Sequence, residues 1–213
     1  DTQPDTIFSS KYVIANKKIL LYVGRMIPRK GLVEFISNSL PGIVAEHPDT
    51  VLTVIGGEAV DALKNDSSLI EQIRSAVEKS GLQQHVVLTG RVDDEILHAA
   101  YNEADLCIFP LIDIPGDVEG FGMVAIEAAA RGLPTAAFSV GGVVDAIEDR
   151  KTGFLIEPGD YYAFTGTCNR YLEGCYPDVT GTACRDFAAG FHWDRFGEKL
   201  RRSIDKATHM ENS

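Results

Sequence analysis

The chain has 213 residues, 45% hydrophobic and 24% charged, enough to bury a substantial core within one domain. Its 20 basic and 31 acidic residues leave a net charge of −11, which repels nucleic-acid backbones and anionic membranes, and no apolar run approaches the roughly 20 residues of a membrane crossing. Cys107 sits inside an apolar run and reads as a buried thiol, while Cys168, Cys175 and Cys184 form no Cys-x-x-Cys pair, so a disulfide framework and a structural zinc are not expected. With no cleavable leader pattern at its start, the chain reads as soluble and cytoplasmic.

Residues 1–12 carry Pro4 and polar residues without periodicity and read as a linker, residues 13–208 as one folded domain, and 209–213 as a tail without pattern. Short β-rich runs at 19–24, 51–55, 86–89, 106–109, 135–138 and 153–156 predict strands. Between them Leu32, Phe35, Ile36 and Leu40 recur at helical spacing, as do Leu69, Ile73, Val77 and Leu82, and further helices fit 94–104 and 122–131. After Tyr161 the pattern is less legible, with helices expected near 182–190 and 194–207 and a break marked by Pro177 and Gly181. This alternation predicts an α/β fold: a doubly wound, Rossmann-like parallel sheet with helices on both faces and C-terminal helices appended. In such sheets ligands bind beyond the carboxyl ends of the strands, where the strand order reverses.

Three strand-to-helix loops carry candidate chemistry. Residues 24–31 put Arg25, Arg29 and Lys30 between a strand end and a helix start, against the sign of the whole chain. A guanidinium grips two phosphate oxygens and an ammonium acts as a point charge, so Arg25 with Lys30 suits a diphosphate; the alternative is a set of cations solvating a turn. Gly56 and Gly57 let a ligand approach the backbone or simply permit a turn, and no Gly-x-Gly-x-x-Gly follows the first strand, which disfavours a dinucleotide enzyme. In the third loop Gly120 and Gly122 leave amides accessible at a helix start, where the macrodipole favours an anion. Glu119 and Glu127 bracket those amides and suit vicinal hydroxyls; alternatively Glu119 complements the dipole and Glu127 is a solvated face residue.

These loops together resemble the C-terminal, donor-binding domain of the family 4 retaining glycosyltransferases of GT-B architecture. The resemblance is carried by Gly24-Arg25 with Lys30-Gly31, Gly90-Arg91-Val92, Ala104-Asp105-Leu106, Glu119-Gly120-Phe121-Gly122 with Glu127-Ala128, Gly132-Leu133-Pro134, Gly141-Gly142 and Thr152-Gly153-Phe154. It implies that Arg25 and Lys30 hold the donor diphosphate and stabilise the departing charge. Glu119 would touch the transferred sugar or support positive charge at its anomeric carbon, and Glu127 would bind the ribose. Phe121, Gly122, Met123 and Val124 would offer main-chain amides; Arg91, Val92 and Leu97 would frame the base; Gly24, Gly56 and Gly57 would line the cleft. With no Asp-x-Asp in the chain, neither a metal nor any other cofactor is expected. Two positions depart from the family pattern: Gly57-Glu58, where relatives often place their second glycine one residue later, and Leu111, where a serine is frequent.

The resemblance further implies a UDP-sugar such as UDP-glucose as first choice of donor and GDP-mannose as second, and a glycan or lipid-linked acceptor held by an N-terminal domain that the chain lacks. Residues 1–12 would then be the remnant of an interdomain linker, the chain alone would be inactive, and any membrane association would run through the missing half. A non-catalytic nucleotide-sugar sensor and an epimerase or phosphorylase of the same architecture are the competing readings.

Overall fold

Alternate residues of the first strand go to opposite faces: Leu20 and Tyr22 join the larger apolar cluster, Ile19 and Leu21 the smaller. A strand buried on both faces has to lie inside a helix-covered sheet, and the computed structural model, which describes residues 6–57, 68–117, 119–191 and 201, shows that arrangement. Strands β1 (Lys18–Val23), β2 (Thr50–Ile55), β3 (Val86–Gly90), β4 (Leu106–Phe109), β5 (Thr135–Phe138) and β6 (Gly153–Ile156) form one parallel sheet in the order β3-β2-β1-β4-β5-β6. The fold is a doubly wound, Rossmann-like α/β domain, and its order reverses between β1 and β4.

The helices are α1 (Ile7–Lys11), α2 (Leu32–Asn38), α3 (Leu40–Glu46), α4 (Leu69–Lys79), α5 (Asp94–Glu103), α6 (Met123–Ala130), α7 (Tyr161–Leu172) and α8 (Gly181–Ala188). Residues of α2, α3, α4 and α7 pack in the larger cluster with Phe35, Ile43, Phe138 and Phe164, whereas α1 and α5 pack in the smaller one with Phe8, Tyr101 and Cys107. All six strands stand within a residue of their predicted bounds at each end. The helical run through Leu40 divides in two at Ser39, because Pro41 has no N–H to continue the ladder of α2. Residues 7–11, read as part of an aperiodic linker, form α1 with Phe8 fully buried; five residues are too few to display a helical period. Helix α7 replaces the illegible stretch after Tyr161, and the helix expected at 194–207 lies outside the described residues except for residue 201. Cys107, Cys168 and Cys184 are buried and Cys175 exposed, all as free thiols. Among the described residues no helix is long and apolar enough to cross a membrane.

A candidate anion site at the carboxyl ends of the strands

The floor of the site is backbone. Gly24 N–H donates to Ile55 O at 3.0 Å, Met26 N–H to Gly57 O at 3.0 Å and Gly56 N–H to Gly90 O at 2.9 Å, so the ends of β1, β2 and β3 are stitched side by side. A Cβ on Gly56 would stand 1.8 Å from Gly24 O, so no other residue permits this approach. Beyond Gly24 the chain makes a 3-10 turn over Pro28–Lys30 and leaves it through Gly31 at φ 68°, where a Cβ would stand 1.8 Å from Pro110 O. Ile112 N–H donates to Arg29 O at 2.8 Å. These contacts press the loop after β1 onto the loop after β4, at the point where the sheet order reverses.

That closeness brings charges together. Lys30 Nζ lies 2.7 Å from Glu119 Oε2 and 4.4 Å from the centre of the Phe109 ring. Arg29 Nη1 donates to the same carboxylate oxygen at 2.6 Å, and Arg29 Nε is 2.8 Å from Asp117 Oδ1 as an ion pair outside hydrogen-bond alignment. The side chains of Lys30, Arg29 and Glu119 are 8%, 11% and 15% exposed, and that of Asp117 is 55% exposed. Burial pushes the Glu119 carboxyl up, but the hydrogen bond and charge of Lys30 and then the charge of Arg29 override it and hold Glu119 below the usual carboxylate range. For Lys30 burial dominates: the ammonium sits below its ordinary value, with Glu119 opposing the shift and the charges of Arg29 and Arg25 adding to it. Glu119 has two cations and Lys30 only one carboxylate, so both groups can move downward. The chemical result is an ionised Glu119 that accepts hydrogen bonds and has no proton to give.

Arg25 is exposed and, among the described residues, has no ion-pair partner; its carbonyl accepts the Tyr22 hydroxyl at 3.0 Å, and its charge reaches Lys30. Of the cations in this loop it is Lys30 and Arg29, rather than Arg25, that meet Glu119. Gly142 N–H donates to Glu119 O at 3.0 Å and backs the loop from behind. Gly120 is exposed, and the half-buried Phe121 ring lies 5.5 Å from that of Phe191. Gly122 is the N-cap of α6, no side chain caps that helix, and Met123 is half exposed beside the half-buried Val124. The first amides of a helix have no partner within it, so this end offers donors to a ligand. Glu127 is exposed one turn on, and its Oε2 accepts the Tyr101 hydroxyl at 3.1 Å. Arg91 flanks Gly57, with its Nε 3.5 Å from where a Cβ would be, and Val92 and Leu97 are half-buried against the smaller cluster. Glu58 lies outside the described residues.

Two residues of this arrangement escaped the sequence reading of roles. Arg29 stood in the cationic run, but its partners are 88 and 90 residues away, and only folding reveals them. Tyr101 gives no local signal, since its hydroxyl meets a residue of a different helix.

Comparison with known proteins bears on this geometry. A family model described as "Glycosyl transferases group 1" matches residues 5–175. Over 185 residues the chain is 30% identical to a GDP-mannose-dependent alpha-(1-6)-phosphatidylinositol monomannoside mannosyltransferase of Mycolicibacterium smegmatis, a match covering 86% of this chain and 44% of that protein. Sucrose-phosphate synthase from Thermosynechococcus elongatus superposes with a TM-score of 0.76 at 27% identity, over 97% of this chain and 50% of that one. The C-terminal domain of a group 1 family glycosyl transferase from Francisella tularensis shares the fold, with a TM-score of 0.71 at 21% identity, over 89% of this chain and 92% of that domain. The chain thus spans less than half the length of the mycobacterial relative and half that of the synthase.

Proposed function

From the premise that the chain belongs to the group 1 glycosyl transferases, we propose that it is the donor-binding unit of a retaining hexosyltransferase, holding a nucleoside diphosphate sugar across the carboxyl ends of β1 and β4. The acceptor, a glycan or a lipid-linked molecule, is held by a domain outside these 213 residues; the coverage of a domain described as C-terminal over 92% of its length supports that division.

The observation that carries the reading is the meeting of Lys30 with Glu119 at 2.7 Å across 89 residues of sequence, at the reversal point of the sheet. Lys30, with Arg25 at the rim, receives the diphosphate together with the first amides of α6. As the sugar leaves, negative charge grows on the diphosphate, so cations and amides already in place favour the transition state over the ground state. Glu119, ionised, accepts hydrogen bonds from the sugar hydroxyls and faces the positive charge growing at the anomeric carbon. Glu127, oriented by Tyr101, takes the ribose. No divalent metal enters this scheme, because Lys30, Arg25 and the helix start supply the positive potential.

Two considerations pull the base in different directions: the sequence resemblance ranks a UDP-sugar first, while similarity to a GDP-mannose-dependent relative favours guanine. Calorimetric titration of UDP, GDP and ADP in the presence of EDTA separates them. One of the three should bind, and Lys30→Ala should weaken it roughly 10- to 100-fold, the range of a charge-assisted hydrogen bond. Failure of all three to bind a folded sample at millimolar concentration overturns the donor site; binding only when magnesium is restored overturns its metal independence.

A further inference from the structure

Lys30 is already engaged within the protein. Its ammonium and the guanidinium of Arg29 converge on one oxygen, Oε2 of Glu119. The four charges of the cluster, Arg29, Lys30, Asp117 and Glu119, sum to zero, so beyond Arg25 at the rim a diphosphate meets no free cation until the pairing of Lys30 with Glu119 rearranges. If Lys30 turned to the ligand alone, Glu119, with its side chain only 15% exposed, would be left as a carboxylate without compensation, a strongly unfavourable state. Arg29 prevents that. Its planar fork of five donors reaches Glu119 through Nη1 while Nε stands beside Asp117, and its carbonyl accepts Ile112 N–H, so its backbone is fastened to the same loop as the carboxylates. A lysine at position 29 would keep the charge and lose that double reach. Asp117 is 55% exposed and screened by water, so its contact orients the guanidinium more than it stabilises it.

We propose that Arg29 is a positioning residue of the donor site, retaining Glu119 so that Lys30 is free to turn to the diphosphate, with Glu119 acting as an internal counter-ion for Lys30 that the diphosphate displaces. The proposal rests on the reading that Lys30 meets the donor diphosphate. It carries a distinctive sign: removing the charge of Glu119 strengthens binding of a nucleoside diphosphate without its hexose, and removing Arg29 weakens it only while Glu119 is charged.

Calorimetry with whichever of UDP or GDP binds tests this. The probe lacks the transferred hexose, so lost hexose contacts do not confuse the result. Arg29→Met should weaken binding about tenfold, Glu119→Gln should tighten it several-fold, and Arg29→Met combined with Glu119→Gln should bind within about twofold of Glu119→Gln alone, since the two residues share one network. A purely structural Arg29 would not be rescued by removing its partner's charge. Unchanged binding in Arg29→Met, weaker binding in Glu119→Gln, or a double variant as weak as Arg29→Met each overturns the proposal. Lys30→Ala is the control for the underlying site: if it binds as tightly as the native chain, the donor site itself is wrong and this proposal falls with it. Loss of binding in Lys30→Ala beside unchanged binding in Arg29→Met refutes only the role of Arg29. Should Arg29→Met melt too low for titration, Arg29→Lys and the native-background Glu119→Gln decide by the same signs.

Discussion

The two ends of the sheet use similar residues for different purposes. At the amino end Asp105 accepts Ile19 N–H at 2.6 Å and Lys18 Nζ donates to Leu172 O at 3.0 Å, and both line a hollow of about 340 Å3 with Tyr171 and Tyr176. At the carboxyl end Lys30 and Arg29 both donate to Glu119. The carboxyl groups record the contrast. Burial lifts Asp105 above its ordinary value, and the Ile19 N–H offsets only part of that, whereas two cations hold Glu119 below. A hollow lined by charges is therefore a weak sign of a ligand site; what separates the two ends is whether the charges are used by the backbone or remain exchangeable with an incoming ion.

Substitutions at the two ends should break apart accordingly. The largest effect belongs to Gly31→Ala, which puts a side chain at φ 68° and a Cβ 1.8 Å from Pro110 O. A loss of about 3 kcal/mol or more in urea unfolding, with loss of nucleoside diphosphate binding, is expected. Asp105→Ala orphans the Ile19 N–H and should cost about 1–3 kcal/mol in the same assay while leaving nucleoside diphosphate affinity at the native level. If it weakened binding as Lys30→Ala does, the division between the two ends would be false. Tyr101→Phe removes the hydroxyl held by Glu127 and should cost about 1 kcal/mol, together with a few-fold loss in affinity for a nucleoside diphosphate and none for inorganic pyrophosphate.

The smallest effect, and the sharpest in sign, is pH dependence. Glu119 sits below its ordinary value of 4.5, so its pairing stabilises the fold above that value and is lost as pH falls through the lower folded-state value. Asp105 sits above its ordinary value of 3.8, so its partly desolvated charge disfavours the fold at neutral pH and the penalty is relieved as pH falls towards 3.8. Acid titration of stability should show the native chain's advantage over Glu119→Gln shrinking with falling pH, and its difference from Asp105→Asn moving the opposite way.

How much of this was legible depends on how local each signal is. The strands were readable because parallel strands buried on both faces are continuous apolar runs, as in Leu106-Cys107-Ile108-Phe109. Helix α7 was not, since its sequence includes Thr165, Gly166, Thr167 and Asn169, poor helix formers; it is held by the Asp160 cap on Ala163 N–H and by burial of Phe164 and Cys168. In the site, Lys30 and the Glu119–Glu127 pair stood out through the family resemblance, since their spacing alone fits solvated residues as well. The role of Arg29 did not, because a cation in a turn looks the same whether it faces water or a carboxylate brought from another loop.

The stitched ends of β1, β2 and β3 have one more consequence. Where Gly24, Gly56 and Gly90 meet, the cleft is walled by main chain, which has no side chain to exchange. On the proposed reading of the cleft, point substitution offers little means of retuning nucleotide choice on that side. A descendant of this protein that changed its preference there would do so by lengthening or shortening a loop, and insertions or deletions, more than residue swaps, are the variation to look for when its relatives diverge in donor.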